Sequence, residues 1–243
     1  MKHISYSLWT AAFLLFSSCA TTKIHDSAQQ ARPSFEMHEI ESMVDVEKWI
    51  APGVLVIFDL DNTLFESKDT IAHANWFHDM LKRHPDEEKK ILRMAWDAIN
   101  VADYEPVEEI TPNLIRSWQD RGIAVMALTS RDLVIQEATL RQVRQVGVDF
   151  SKTSPARKRE SKYLHQGILF ASSNYPKGYA LQKYLAESHF QPTRIILIDD
   201  LKKNLKSVGE AMGAVGLYYP LVDNKRHLEW DEANAEQLWL EGN

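Results

Sequence analysis

Three apolar runs in this sequence end abruptly in side chains that can attack, donate a proton or bind a cation. Val54-Leu55-Val56-Ile57-Phe58 runs into Asp59-Leu60-Asp61-Asn62-Thr63. Ile123-Ala124-Val125-Met126-Ala127-Leu128 runs into Thr129-Ser130-Arg131. Arg194-Ile195-Ile196-Leu197-Ile198 runs into Asp199-Asp200. A carboxylate can act as a nucleophile, as a general acid or base, or as a ligand for a hard cation. Four carboxylates gathered at one place are costly unless a cation compensates them. Oxygen ligands without clustered cysteines or histidines point to Mg²⁺ before Zn²⁺. Each group also has a plainer role: Asp59 can close a turn after a strand, and Asp199-Asp200 can open a helix. Two acidic pairs, each directly behind an apolar run, tip the balance toward a site. Thr129 taken alone is more often structural. Ser130 and Arg131 can reach a phosphate, although Arg131 also suits the surface near a helix start. Asn204 either orients a nearby acid or faces solvent.

The elements around these residues follow from periodicity. The apolar runs, bounded by turn signals such as Pro52-Gly53, suit strands buried on both faces of a parallel sheet. Ile168-Leu169-Phe170-Ala171 and Ala214-Val215-Gly216-Leu217-Tyr218 add two more. Amphipathic helices are predicted over residues 35–50, 133–146, 179–188 and 205–212, and one opens at Thr111-Pro112 with threonine as N-cap and proline first inside. Gly122 and Gly147 stop two of them. His73, Trp76, Phe77, Met80 and Leu81 share one helix face, and Ile91, Leu92, Ala95, Trp96 and Ile99 share another, with His84-Pro85-Asp86 between. At this spacing Trp76, Phe77 and Trp96 read as packing residues, and His73 and His78 as surface or packing residues. The basic run Lys152, Arg157, Lys158, Arg159 and Lys162 reads as an exposed hairpin or loop. Alternating strands and helices imply an α/β fold, a doubly wound Rossmann-like parallel sheet with right-handed crossovers. In such a sheet ligands bind beyond the carboxyl ends of the strands, so residues distant in sequence converge.

Asp59-Leu60-Asp61-Asn62-Thr63, Thr129, Lys177 and Asp199-Asp200, in that order and at strand ends or a helix start, resemble the four signatures of haloacid dehalogenase-like phosphatases. The resemblance spans nearly all of residues 54–218. Lys177 is the least specific of the four; Lys158 or Lys162 can be proposed in its place. The resemblance implies Mg²⁺-dependent hydrolysis of a small phosphate monoester. Asp59 would form an aspartyl-phosphate, and Asp61 would move protons and offer its backbone carbonyl to the metal. Thr129 and Lys177 would bind the phosphoryl group, with Ser130 and Arg131 nearby, and Asp199 and Asp200 would complete the metal site. It also places a helical cap, about 67–108, inside a domain spanning 35–243. Exported, lipid-anchored bacterial acid phosphatases share the first motif, but carry glutamate where this chain has Asn62. A phosphotransferase, or a catalytically silent envelope lipoprotein that binds a phosphorylated ligand or a protein partner, are the alternatives; the Asp59/Asp61 pair argues against the silent reading.

The remaining features bound the class. In 243 residues, 34 acidic and 28 basic side chains leave a formal net charge of -6. That is a poor basis for holding nucleic acid by its backbone. The chain opens Met1-Lys2-His3 and continues through an apolar stretch from Leu8 to Phe16, too short to span a membrane comfortably, which reads as a signal segment over 1–18. Leu15-Phe16-Ser17-Ser18-Cys19 resembles a lipobox, with Phe16 untidy within it. Cys19 is the only cysteine. The expectation is export to a bacterial cell envelope, a membrane anchor at Cys19 and a polar tether over 19–34. The alternative is an ordinary signal cut nearby, leaving Cys19 as a free thiol.

Overall fold

The computed structural model describes residues 34–156, 161–172, 175–229 and 231–242, all within one compact unit, Arg32–Asn243. The expected signal segment, Cys19 and the tether up to residue 33 lie outside the described residues, as do Arg157, Lys158 and Arg159 of the basic run. No helix among the described residues is long and apolar enough to cross a membrane.

The strands in chain order are β1 (Glu36–Glu39), β2 (Val54–Phe58), β3 (Phe65–Ser67), β4 (Tyr104–Pro106), β5 (Ala124–Thr129), β6 (Leu164–His165), β7 (Ile168–Phe170), β8 (Arg194–Asp199) and β9 (Val215–Tyr218). The helices are α1 (Ala74–Arg83), α2 (Glu88–Val101), α3 (Thr111–Asp120), α4 (Gln136–Gln145), α5 (Lys177–Glu187), α6 (Lys202–Met212), α7 (Leu221–Glu229) and α8 (Glu232–Glu241). Seven strands form one sheet in the order β1-β9-β8-β2-β5-β7-β6, parallel except for β6. Every residue of β2 is buried. Strand period two sends its side chains to opposite layers. Val54, Val56 and Phe58 pack with Ile115, Trp118 and Val143 on one face; Leu55 and Ile57 pack with Leu181, Tyr184 and Leu205 on the other. The fold is therefore the doubly wound α/β sheet that the alternation of elements implies.

From β2 the chain winds outward through β5 and β7, then returns to β8 on the opposite side of β2 and continues to β9. The strand order reverses next to β2, which opens a crevice at its carboxyl end. Register puts Phe58 level with Ile198 on one side and Ala127 on the other. Asp59, Asp199 and Thr129 thus emerge on one edge of the sheet.

Several elements differ from their sequence expectation. Residues 35–50 are not one helix. Glu36–Glu39 pairs with β9 at the sheet edge, and all four of its side chains are exposed. A short 3-10 helix, Met43–Trp49, follows, opened by Ser42 and Asp45 as a capping box. Its apolar spacing imitated a longer helix, yet only Met43 and Val46 of it are buried. Helix α3 starts one position earlier than Thr111-Pro112 suggested: Ile110 is at the cap position and no side chain caps it. Lys177 is the first residue of α5, and α6 begins at Lys202, three residues before the expected start. The antiparallel pair β3/β4, which brackets α1 and α2, carried no sequence signal because each strand has three residues. Helices α7 and α8 follow the last expected strand. Ala235 and Trp239 of α8 pack against Trp76 and Met80 of α1, and the Trp76 indole donates to the Ala235 carbonyl at 3.2 Å.

Helices α5 and α6 approach closely at Gly178. A Cβ there would lie 2.1 Å from the Ser207 carbonyl oxygen, and the Gly178 amide donates to the Ser207 hydroxyl at 3.0 Å. Gly178→Ala should lower folding stability by about 1–3 kcal/mol, the usual cost of overfilling a tight contact, and shift the adjoining Lys177. An unchanged denaturant midpoint would show that the two helices can separate without penalty.

Candidate functional site

The loop after β2 is built by its own backbone. The Leu60 carbonyl accepts from the amides of Thr63, Leu64 and Phe65, and Asn62 takes a left-handed φ of 58°. Asparagine tolerates that region better than most residues. The turn buries Asn62 and Thr63 and gives both polar side chains specific partners. Asn62 donates to the Asn75 side chain at 3.0 Å, tying the loop to α1, and the Thr63 hydroxyl accepts from the Asp200 amide at 3.1 Å, tying it to the end of β8. Asp59 is fixed further by its amide, which donates to the Ile198 carbonyl at 2.9 Å.

Carboxylate oxygens of Asp59, Asp199 and Asp200 lie within 4.8 Å of one another, and all three residues are buried. The Lys177 ammonium lies 2.6 Å from Asp59 and 2.7 Å from Asp199, itself only 2% exposed. Asn204 donates to both Asp199 oxygens, at 3.0 and 3.1 Å, and the Leu201 amide donates to one of them at 2.9 Å. Burial raises the Asp59 pKa to about 7; Lys177 opposes that rise, while Asp199 adds to it. Burial likewise pushes Asp200 well above the usual carboxylate range, helped by Asp199 and Asp59. Burial disfavours the charge on Lys177, but Asp199 and Asp59 together outweigh it and hold its pKa above the ordinary lysine value. One ammonium among three buried carboxylates leaves negative charge uncompensated. An all-oxygen donor set of this kind fits a hard divalent cation.

The Asp61 side chain has a partner of its own. Arg131 grips it with two parallel hydrogen bonds, Nε to Oδ2 at 2.8 Å and Nη2 to Oδ1 at 2.7 Å. The same guanidinium donates to Thr139 and Gln142 and lies about 5 Å above the rings of Phe65 and Tyr104. The β3/β4 pair therefore supplies an aromatic seat for Arg131. Thr129 is buried, and its hydroxyl accepts from the Arg131 amide at 3.1 Å. A hydroxyl that accepts in this way still has a proton to donate. Ser130 is exposed.

A pocket of about 160 Å³ opens over these residues, lined by Asp59, Asp61, Thr129, Ser130, Arg131 and Asp200 on the sheet side. Of the sequence candidates, the structure gathers the carboxylates of Asp59, Asp199 and Asp200 within 4.8 Å and bonds Lys177 to the first two. Thr129 and the Asp61–Arg131 pair stand beside them. Lys162 is exposed and sits over the Tyr163 ring instead. Asn204 orients Asp199. Phe77, Trp96, His73 and His78 line the pocket; Phe77 also packs against the cluster around Trp76, as its spacing implied, and Trp76 is fully buried there. Gln142 and Thr139 carried no signal in isolation. Asn62 and Thr63 belong to the quoted motif, but the tasks they have here, tying its loop to α1 and to the end of β8, follow only from the fold.

The sequence profile of DUF2608, described as a protein of unknown function, matches residues 34–237. The chain belongs to the DUF2608 family. This DUF2608 member is 28% identical over 210 residues to a protein of Chlamydia trachomatis, with 82% of this chain and 76% of that one aligned. A Chlamydia muridarum relative is 26% identical over 220 residues, covering 86% and 80%. Both carry the name "Putative outer membrane protein". Solved structures similar to it include a haloacid dehalogenase-like family hydrolase of Streptococcus pneumoniae, at TM-score 0.44 and 13% identity, covering 71% of this chain and 97% of that one. A HAD family hydrolase of Deinococcus radiodurans, with bound phosphate and sodium, aligns at TM-score 0.40 and 15% identity, covering 77% and 98%.

The raised pKa values in this DUF2608 chain give a signed expectation. A carboxyl whose folded pKa lies above its unfolded value favours folding while protonated. The Asp59 contribution is thus present below about pH 4 and lost as pH rises to about 7. The cation-free protein should lose stability across that window. A divalent cation replaces the protons, so the rise in Tm that it causes should be larger at pH 8 than at pH 5. Asp200→Asn should diminish that rise and its pH dependence. Equal cation-induced shifts at both pH values would contradict this account.

Proposed function

We propose that this protein hydrolyses a phosphate monoester through an aspartyl-phosphate on Asp59. The observation that carries the reading is the buried Asp59–Asp199–Asp200 triad, spanned by Lys177 at the point where the strand order of the sheet reverses. A structural acidic cluster gains nothing from being buried with too few cations. A site that must bind a metal and a phosphoryl group needs that excess of negative donors.

Asp59, Asp199 and Asp200 would hold Mg²⁺, together with the backbone carbonyl of Asp61. When bound there, Mg²⁺ would screen the approach of an anionic carboxylate to an anionic phosphoryl group. An Asp59 oxygen attacks phosphorus, the ester P–O bond breaks, and Asp61 delivers a proton to the departing oxygen. Asp61 then takes a proton from water, which attacks the aspartyl-phosphate, releasing phosphate and restoring Asp59. Arg131 positions Asp61 for both steps. An ionised carboxylate has about four lone-pair sites, so a bidentate guanidinium leaves it able to accept a proton. Thr129 donates to a phosphoryl oxygen and Lys177 neutralises charge beside it. Ser130, at the exposed lip of the pocket, is within the segment that would meet the phosphoryl group. The two helices between β3 and β4 act as a cap over the site.

Asp59→Asn should abolish turnover and leave no phosphoenzyme. Asp61→Asn retains the backbone carbonyl and should keep cation binding, but lose about 10²–10⁴-fold in turnover. With an activated aryl phosphate its intermediate should accumulate. Intact-protein mass after rapid acid quench, with peptide mapping, reads this directly. Phosphate on a residue other than Asp59, or full activity in Asp59→Asn, would refute the mechanism.

The reading also places the enzyme in a bacterial envelope, exported and anchored through lipid on Cys19. The names of the chlamydial relatives support that location, and the residues around Cys19 support the anchor. Cys19→Ser should release the folded protein from the membrane fraction, because anchoring by acyl chains depends on having more than one of them. Retention of the serine variant in membranes would exclude the anchor.

A further inference from the structure

The wall of the pocket facing the carboxylates has a different chemistry. Ile71, Phe77, Leu92, Trp96 and Ile99 line it from the insertion alongside His73 and His78, and Ile135 joins them from the segment before α4. The lining contains Asp132 in addition to the reacting carboxylates, and the Asp132 carboxylate accepts from the Ser172 hydroxyl at 2.5 Å. The two strong cations nearby are already committed. Lys177 is held between Asp59 and Asp199, and all three guanidinium nitrogens of Arg131 are engaged by Asp61, Thr139 and Gln142. His73 accepts from the Asn75 amide through Nδ1 at 3.1 Å, and its other ring nitrogen lies 3.5 Å from Glu66. No lysine lines this pocket, and Arg131 is its one arginine, among the described residues.

We propose that the alcohol half of the substrate is apolar: a phosphate monoester carrying an aromatic ring or a short hydrocarbon chain, with no second anionic group. This rests on the phosphomonoesterase reading above and specifies its substrate class. A second phosphate or carboxylate would meet Asp132 and an apolar wall with no uncommitted lysine or arginine to receive it, and would lose its hydration without replacement. A polyhydroxylated sugar would likewise exchange water for aliphatic carbon. An aromatic or alkyl group gains from the same surface by leaving water, and Phe77 and Trp96 offer rings for it to pack on. A benzene ring fills an apolar cavity of about 150 Å³; the pocket's about 160 Å³ must also take the phosphoryl group, which limits the alcohol half to a single ring or a short chain.

The test separates this inference from the chemistry. With Mg²⁺ present, the affinities of benzylphosphonate and 2,3-dihydroxypropylphosphonate, neither of which can be hydrolysed at an ester, are compared by calorimetry. Benzylphosphonate should bind about tenfold tighter or more. Trp96→Ala should remove most of that preference; Trp96 is only partly buried and lies outside the apolar core clusters, so the variant should fold. In parallel, benzyl phosphate and glucose 6-phosphate, both esters of primary alcohols, are compared as substrates. Benzyl phosphate should have the lower KM and the higher kcat/KM. Equal or inverted preference in the wild-type protein, or a preference unaltered by Trp96→Ala, overturns the apolar assignment even if both esters are hydrolysed. Tight, Trp96-dependent binding of benzylphosphonate without hydrolysis of either ester upholds the apolar wall and defeats the phosphomonoesterase reading instead.

Discussion

A single ammonium held between two buried carboxylates organises this molecule. Lys177 sits 2.6 Å from Asp59 and 2.7 Å from Asp199, at the ends of two adjacent parallel strands. Buried charges persist only when paired and hydrogen-bonded. Much of the neighbouring structure supplies that pairing. Asn204 and the Leu201 amide hydrogen-bond the Asp199 carboxylate beside it. The glycine after Lys177 lets α5 press against α6, so that the lysine reaches inward from the first turn of its helix. What is left unpaired, chiefly Asp200, is where added positive charge would do most to relieve the strain of burial.

The second acid of the motif belongs to a separate network. Arg131 leaves β5 and grips Asp61, which leaves β2, while Phe65 and Tyr104 from the short antiparallel pair lie against its guanidinium. One buried arginine thereby joins two strand ends, the root of the helical insertion and, through Thr139 and Gln142, helix α4. Asn62 and Thr63 add cross-links from the same loop to α1 and to the end of β8. The two acids of the motif have distinct surroundings: one lies in a cation-poor cluster while the other is clasped by a guanidinium.

The sheet and its carboxylate-bearing edge were legible because both rest on local signals. Apolar runs such as 54–58 and 194–198 declare doubly buried strands, and acidic residues directly behind them have few plain explanations. Lys177 could be proposed only through a motif, since a lysine in isolation resembles any other. The partnership of Arg131 with Asp61 was invisible, because it spans 70 residues and depends on how two loops meet in space. Strand β1 misled because residues 35–50 have apolar spacing close to helical, while the decisive contribution was backbone pairing to β9, which side-chain periodicity does not record. Phe77 and Trp96 fell on helical faces that looked like core, and spacing alone cannot distinguish a face that meets another helix from one that meets a pocket.

The last helix has a bearing on how the molecule comes into being. Trp76, in the insertion, is closed over by Ala235 of α8, a contact spanning 159 residues of chain. Glu236 of the same helix also reaches Arg83 and His84 at the far end of α1. Contacts of such long range are entropically late, since a large loop must close before they repay anything. On a ribosome the strands up to β9 are all made before α8 emerges. The growing chain can thus assemble its sheet and gather its carboxylates while Trp76 of α1 still waits for the helix that covers it.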